Sequence, residues 1–312
     1  MDRLDILLKP WTAPQVPADI PRGDMPGDKV TICDGHIATA NTLFPVLAKE
    51  LYAALKSNPA QRAVVAVCGG SGVGKSGAAA VLAYYLNALG IGSYALSGDN
   101  YPHRIPREND AERERIFRTG GLRSLVAAGC ITPERSDILR TLWAEGTDAN
   151  PEQVNAHPWL PIYQKAGRRC LSSYLGTPAE IDFDEISDII ARFKQGAASL
   201  FLKRMGRETT DLWYNEVDMR GTQVLIIEWT HGNSDYIEGV DIPILLNSTP
   251  AETLAHRIAR NRDGNPDSAF TTMVLDLEQR KLDAQAHKAK IILSKQGKLL
   301  SYEEYRLLMA KA

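Results

Sequence analysis

Short apolar runs separated by helical patterns recur along most of this chain. Ala63–Cys68 is a valine-rich run that a glycine cluster ends within six residues, which favours a strand over a buried helix. Further short strands are predicted at Ser93–Leu96, Gln223–Ile227, Ile242–Leu246 and, as a fifth candidate, Ile291–Leu293. Strands that alternate with helices predict an α/β fold whose mainly parallel sheet has helices on both faces.

The helices between these strands carry their own signals. Asn41–Ser57 places its apolar residues along one stripe, and Lys75–Leu89 is rich in alanine and is followed by Gly90. A capping box at Thr249 with Pro250 at the first helical position predicts a helix to about Arg262. Further helices are predicted at Asp184–Lys194 and, after a second capping box at Ser301, at the C-terminus.

Two regions depart from this alternation. Residues 9–28 contain five prolines and predict an irregular segment, so residues 1–58 are interpreted as an N-terminal extension with one helix. Residues 119–222 show helical stretches but no clear strand. They are interpreted as a substrate-side insertion into one domain that spans residues 59–312.

The balance of charged residues, the cysteines and the length of the apolar runs limit the partners and the location that are expected for this chain. The chain has 312 residues, of which 36 are Lys or Arg and 38 are Asp or Glu, so neither a nucleic acid nor a membrane is expected as a partner. Four cysteines without Cys-x-x-Cys spacing fit a reduced, intracellular protein. No apolar run has the length of a signal peptide core or a membrane span, so the cytoplasm is the expected location.

The segment from Gly69 to Ser76, GGSGVGKS, matches the phosphate-binding pattern G-x-x-x-x-G-K-[ST]. Glycines let successive backbone N–H groups point at phosphate oxygens, Lys75 reaches the β- and γ-phosphates, and the Ser76 hydroxyl can bind Mg²⁺. An ordinary glycine turn is the alternative, but a strand before and a helix after favour the phosphate loop. The predicted nucleotide ligands are Gly69, Gly70, Ser71, Gly72, Val73, Gly74, Lys75, Ser76 and Gly77.

Other motifs separate the classes of phosphate-loop protein. A switch GTPase needs an N-K-x-D element, which is lacking, and the D-x-x-G string at Asp218–Gly221 precedes its strand instead of following it. A small-molecule kinase needs a base for the acceptor hydroxyl, an acid near the metal and a cationic lid over the phosphates.

Asp99 and Glu228 follow or end predicted strands, where carboxylates face the ligand crevice of an open α/β sheet. Asp99 is therefore the candidate base, with an Asx turn as the alternative. Glu228 is the candidate metal ligand beside Ser76, with a solvated strand end as the alternative. His231 is a further substrate candidate, with a structural role as the alternative. Arg257, Arg260 and Arg262 end a capped helix and are candidate phosphate ligands, unless they only solvate its C-terminus.

Polar residues after the second predicted strand and in the middle of the chain are candidates for contacts with the acceptor. Tyr101, His103 and Arg104 are candidates by proximity to Asp99, although a charged, solvated loop explains them as well. Asp182 and Tyr214 could contact hydroxyl groups of a sugar or polyol. The expected partner is a small molecule with a hydroxyl group, and a homodimer is left open.

These motifs together resemble the uridine kinase, phosphoribulokinase and pantothenate kinase family. The resemblance rests on GGSGVGKS, the SGDNY segment, DFDEI at 182–186, LIIEWTHG and the helix with HRIARNRD. It implies a five-stranded parallel sheet with flanking helices, ATP with Mg²⁺, Asp99 as base, Glu228 as the later acid, and Arg257, Arg260 and Arg262 as lid.

The chain departs from that family before DFDEI, where it reads YLGTPAEI without the histidine of uridine kinases. No family substrate is therefore carried over. The predicted function is ATP-dependent phosphorylation of a hydroxyl on a small metabolite, such as a sugar, nucleoside or hydroxy acid. Two alternatives are kept: an enzyme similar to adenylylsulfate kinases, suggested by SGDNYPHR, and a regulatory ATP-binding protein.

Overall fold

The computed structural model describes residues 3–27, 31–260 and 268–310. Its strands are β1 Ala63–Gly69, β2 Ser93–Ser97, β3 Ser199–Met205, β4 Leu212–Asp218, β5 Val224–Glu228, β6 Ile242–Leu246, β7 Ile291–Leu293 and β8 Leu299–Leu300. Its α-helices are α1 Asp34–Ser57, α2 Lys75–Ala88, α3 Pro106–Ala127, α4 Pro133–Glu145, α5 Leu160–Tyr174, α6 Phe183–Lys194, α7 Pro250–Arg260, α8 Ala269–Gln285 and α9 Tyr302–Met309.

The chain forms two compact units. The first contains Met1–Tyr101, Asp182–Thr249 and Leu282–Ala312, and the second contains Pro102–Ile181 and Pro250–Lys281. Within the described ranges, no helix is both long and apolar enough to cross a membrane.

The first unit is built on a mostly parallel sheet. Among the described residues six strands pair in the order β2-β5-β1-β6-β7-β8, with β8 alone antiparallel to its neighbour. This arrangement confirms the predicted α/β fold and adds the two-residue β8 at the edge. The burial of β1 along its whole length explains why its sequence is a continuous apolar run.

Apolar residues cover both faces of this sheet. On one face, α1 and α2 pack against alternate residues of β1, including Val65 and Val67. On the other face, Cys68 and Leu245 pack with Tyr305 of α9. Helices therefore flank the sheet on both sides, as the alternation of elements predicts.

The N-terminal segment is irregular in backbone but packed. Leu4, Leu7 and Ile20 are buried in the same core as α1 and α2, and the Trp11 ring lies 4.7 Å from the Phe44 ring between centroids. Helix α1 begins at Asp34, seven residues before the predicted start. Its N-cap is Cys33, a residue type that sequence rules do not associate with helix starts.

A two-stranded antiparallel hairpin, β3 with β4, corrects the expectation that residues 119–222 lack strands. Lys203 and Arg204 interrupt the apolar pattern of β3, yet both side chains are buried. They are stable there because each meets a carboxylate, Glu185 at 4.0 Å and Asp24 at 2.8 Å. Most residues of β4 are exposed, so that strand has no buried periodicity to detect.

The second unit is helical. Its core joins residues of α3, α4, α5 and α8, among them Phe117, Tyr163 and Leu277. Glu180 is fully buried in this unit and is paired with Arg113 at 2.6 Å.

Candidate active site

Strand β1 leads directly into the glycine loop, and α2 starts at Lys75. Gly74 is the N-cap of α2 at a φ of +100°, a conformation that L side chains rarely adopt. At Gly69 a Cβ atom would lie 2.5 Å from the backbone oxygen of Leu246, so the neighbouring strand also requires glycine there. The Lys75 ammonium donates to the Gly70 carbonyl at 3.0 Å and thus lies over the loop. This is the strand–loop–helix geometry that the sequence pattern predicts.

The carboxylate of Glu228 lies at the centre of the site. Glu228 ends β5, which lies between β1 and β2 in the sheet, and pairs with Val67 on one side and Ser97 on the other. The Ser76 hydroxyl donates to its Oε2 at 2.8 Å, and the Ser97 hydroxyl donates to its Oε1 at 2.7 Å. The sheet register therefore brings an acid from β5 to the first turn of α2.

Glu228 is almost completely buried, and burial is the main cause that raises its pKa to about 7. The charge of Asp99 raises the pKa further, while the Ser97 hydroxyl, the Lys75 ammonium and the Ser76 hydroxyl oppose the rise. Two carboxylates that influence each other in this way lie close together. Lys75, Ser76 and Asp99 thus all act on the Glu228 carboxylate, whereas the side chain of Arg260, the fourth predicted catalytic residue, lies outside the described residues.

The turn that carries Asp99 is held by an aromatic contact. Asp99 lies in the short 3-10 turn Gly98–Asn100 that follows β2. The Trp229 ring packs so tightly on this turn that a Cβ at Gly98 would lie 2.0 Å from a ring atom. Trp229, which follows Glu228, therefore fixes the position of Gly98, which precedes Asp99. This contact links the positions of the two acids.

The residues at this strand end suit a magnesium ion. Mg²⁺ prefers oxygen ligands and is usually held by one or two carboxylates together with substrate phosphates. Ser76 and Glu228 offer a hydroxyl and a carboxylate within 2.8 Å of each other, next to the glycine loop.

Asp24 is a buried part of this site that sequence reasoning missed. Its Oδ1 accepts from the Ser97 backbone N–H at 2.7 Å and from Asn100 Nδ2 at 3.2 Å, while its Oδ2 accepts from the Tyr94 hydroxyl at 3.0 Å. Oδ2 also pairs with Arg204 at 2.8 Å. The N-terminal segment therefore holds both ends of the turn on which Asp99 lies.

The neighbour of Asp24 also approaches the Glu228 carboxylate. A Cβ built on Gly23 would lie 3.7 Å from Oε1 of Glu228. Nothing in the local sequence around Gly23 distinguishes it from other loop residues. Arg204 is the sequence signal that points to Asp24, because a cation within an apolar strand pattern needs a buried anion as its partner.

The other predicted acceptor residues of the first unit have structural contacts. Tyr101 is fully buried, and burial followed by the charge of Asp24 raises the pKa of its phenol. Asp182 caps α6 by accepting from the Glu185 backbone N–H at 2.9 Å. Tyr214 is half exposed on β4, and the His231 ring packs edge-on against Trp229. Their contacts with an acceptor remain predictions.

The remaining predicted residues belong to the second unit. His103 Nε2 lies 2.9 Å from the Pro178 carbonyl, and Arg104 donates to the Tyr174 hydroxyl at 3.1 Å. Arg257 is buried, and among the described residues its Nε and Nη1 atoms have no hydrogen-bond partner. The side chain of Arg260 and the whole of Arg262 lie outside the described residues.

Comparison with known proteins finds two curated relatives that are kinases. The chain is 38% identical over 247 residues to the bifunctional alpha-galactosidase/sucrose kinase of Mediterraneibacter gnavus, an alignment that covers 79% of this chain and 21% of that protein. It is 32% identical over 146 residues to the adenylyl-sulfate kinase of Erwinia tasmaniensis, covering 41% of this chain and 73% of that enzyme. The chain thus spans about a fifth of the length of the first relative. No protein-family model matches it.

Two solved structures are similar to this chain. A proposed fructose transport system kinase from Silicibacter sp. TM1040 has a TM-score of 0.46 and 19% identity, covering 80% of this chain and 94% of that one. A proposed uridine kinase from Bacillus stearothermophilus has a TM-score of 0.42 and 15% identity, covering 79% and 98%. At these scores the two likenesses carry no argument about function.

The parallel sheet, the glycine loop and the acid at the end of β5 define a P-loop nucleotide-binding protein. Together with the two kinase relatives, they show the family. The chain belongs to the P-loop kinases that phosphorylate small molecules, which confirms the family predicted from its motifs.

Proposed function

We propose that this chain transfers the γ-phosphoryl group of ATP to a hydroxyl group of a small saccharide. The observation that carries the proposal is the cluster at the end of β5, where the Glu228 carboxylate accepts a hydrogen bond from the Ser76 hydroxyl and the nearby charge of Asp99 helps to raise its pKa. A P-loop protein that only bound a nucleotide would not need the carboxylate of Asp99 in addition to that of Glu228. Two acids with different environments suit two roles, one at the metal and one at the acceptor.

In this proposal the loop and Lys75 hold the nucleotide. The backbone N–H groups of the loop bind the phosphates, and the first turn of α2 adds the positive end of its dipole. Lys75 lies over the loop and is placed to turn its ammonium to the β- and γ-phosphates. The predicted arginines Arg257, Arg260 and Arg262 are kept as further phosphate ligands.

Ser76 and Glu228 are the proposed holders of Mg²⁺. When bound, the ion would neutralise charge on the phosphates of the nucleotide. A divalent cation favours the ionised carboxylate, so Glu228, whose pKa is about 7, would release its proton there. Ser97 keeps the carboxylate oriented through its hydroxyl.

Asp99 is the proposed base. It accepts the proton of the acceptor hydroxyl as that oxygen forms a bond to the γ-phosphorus, and the bond from that phosphorus to the bridging oxygen of ADP breaks. The products are a phosphate ester and ADP, and the proton passes from Asp99 to solvent. Holding Asp99 on a turn fixed by Trp229 and Asp24 reduces the reorganisation needed in this step.

The acceptor class is taken from the relative with the longer alignment, whose name includes sucrose kinase. The second relative supports an alternative, an adenylylsulfate acceptor, over a shorter part of the chain. Nucleosides and hydroxy acids are further candidates. Small-molecule binding follows from the family, whereas the identity of the acceptor is part of this proposal.

Acceptor-dependent release of ADP tests the proposal. The panel contains sucrose, its component hexoses, uridine, glycerate and adenylylsulfate, each with Mg·ATP. Stimulation by a saccharide is expected, and it should disappear in Lys75→Ala but persist in Lys165→Ala, which changes an exposed lysine of the second unit. Stimulation by adenylylsulfate alone would support the alternative acceptor. Stimulation by a protein partner and by no small molecule would replace the proposal with a regulatory function.

A further inference from the structure

His36 lies against the phosphate-binding loop, although it is 33 residues before the loop and outside its motif. A Cβ built on Gly77 would lie 2.4 Å from Cγ and from Nδ1 of the His36 ring. A Cβ built on Gly74 would lie 3.1 Å from Cδ2 and 3.3 Å from Nε2. The imidazole therefore occupies the space that a side chain at position 77 would fill.

This space borders the nucleotide site. Gly74 is the N-cap of α2, so Gly77 is the third residue of its first turn, where backbone N–H groups have no partner within the helix. Those groups hold the α- and β-phosphates in a P-loop, while Lys75 reaches the β- and γ-phosphates. The imidazole that covers Gly77 therefore borders the part of the loop whose backbone N–H groups hold the α- and β-phosphates.

The cap of α1 orients the imidazole. The Cys33 backbone N–H lies 3.3 Å from Nδ1 of His36 and donates to it, and the Cys33 thiol lies 3.4 Å from the same nitrogen. Because Nδ1 accepts this bond, the proton of the neutral ring is assigned to Nε2. Nε2 is on the edge of the ring that faces Gly74, so a donor is directed at the loop.

We propose that His36 is a nucleotide-binding residue whose Nε2–H donates to the α-phosphate. This inference rests on the proposed use of ATP and adds a ligand from the N-terminal helix to the loop. It also explains the glycine at position 77, since any larger residue there would displace the imidazole. The α-phosphate is present in ATP and in ADP, so His36 should support the binding of both.

The first test compares two substitutions of similar size. His36→Gln keeps an amide donor and His36→Leu keeps only the packing against Gly77. ADP binding is measured by calorimetry without acceptor, so that no turnover is needed. His36→Leu is expected to bind ADP about tenfold more weakly than wild type, the effect of one hydrogen bond to a charged group. His36→Gln should lose less, and the control His287→Ala, an exposed histidine, should lose nothing.

The second test exchanges the donor between the two positions. Gly77→Ser alone should weaken ADP binding, because its Cβ meets the ring. His36→Ala/Gly77→Ser should bind more tightly than either single variant, because the space is free and the serine hydroxyl can reach the phosphate. Thermal unfolding of each variant shows that it is folded, and the tightening in the double variant cannot come from a loss of packing.

The outcomes separate this inference from the function itself. If wild type binds neither ATP nor ADP, the proposed kinase function fails. If wild type binds both and His36→Leu binds ADP equally well, the function stands and the assignment of His36 is overturned. A double variant that binds no better than Gly77→Ser would also overturn it.

Discussion

Replacing Arg204 with methionine would test whether the N-terminal segment is an energetic part of the site. The guanidinium pairs with Asp24 at 2.8 Å, and the two side chains are 7% and 8% exposed. Removing one partner of a buried ion pair typically costs about 3–5 kcal/mol, because the other charge stays buried. Asp24 keeps its hydrogen bonds from Ser97, Tyr94 and Asn100, which offset part of this cost. We therefore expect a loss of about 3 kcal/mol.

The assay is urea unfolding at two pH values. Burial raises the pKa of Asp24 and Arg204 opposes this rise, so Arg204→Met should raise the pKa further. A carboxyl whose folded pKa lies above its unfolded value loses stability as pH rises between the two values, since the unfolded state gives up its proton first. The loss should thus be larger near neutral pH than in mild acid. The double variant Asp24→Asn/Arg204→Met should recover part of it.

The matched control is Arg220→Met, since Arg220 pairs with Asp218 on the surface and is 77% exposed. Solvent screens an exposed pair of this kind, so this variant should unfold at nearly the wild-type urea concentration. An Arg204→Met loss as small as that of the control, or one that does not depend on pH, would refute the reasoning. The N-terminal segment would then contribute packing but no electrostatic support.

Three further outcomes test the centre of the site. Glu228→Gln should stabilise the nucleotide-free protein in EDTA by about 2 kcal/mol near pH 8 and much less near pH 5. The reason is that burial raises the pKa of Glu228 from the ordinary 4.5 to about 7, so the acid lowers the stability of the folded protein as pH rises between these values. Urea unfolding measures the effect, and an equal gain in stability from Glu228→Gln at both pH values would contradict it. Asp99→Asn should lower kcat by about a hundredfold or more in the ADP-release assay while calorimetry shows unchanged ATP affinity, and normal turnover would remove Asp99 from its role. Gly98→Ala should cost about 2 kcal/mol in urea unfolding through overlap with Trp229, and a wild-type midpoint would show that the ring moves freely.

The sheet and the phosphate loop could be predicted because their signals are local. β1 is buried on both faces, so its residues form a continuous apolar run, and the glycines that end it are needed by the backbone. The positions of Asp99 and Glu228 followed from a general property of parallel sheets, whose carboxyl ends meet at one edge. Strand order and register then decided which acid bonds to Ser76, and neither can be read from the sequence.

The missed parts depend on partners that are distant in the chain. Arg204 is buried in β3 because Asp24, in the N-terminal segment, neutralises it, and neither residue indicates the other. His36 reaches the loop because α1 begins at an unusual cap, Cys33, and packs beside α2. Both contributions come from residues 1–58, which the sequence predicts to be an extension: Asp24 lies in the proline-rich part and His36 in the first turn of α1.

The arrangement around Ser97 shows why this segment is needed. Its hydroxyl donates to Glu228 and its backbone N–H donates to Asp24, so one residue connects two buried carboxylates. A buried charge persists only where donors or an opposite charge compensate it. Asp24 and Arg204 are oppositely charged and neutralise each other at 2.8 Å. A fragment that began at residue 59 would retain the whole phosphate loop but leave Arg204 buried without its anion. We therefore expect the residues before 59 to be required for a stable turn at Asp99, even though every motif of the kinase family lies after them.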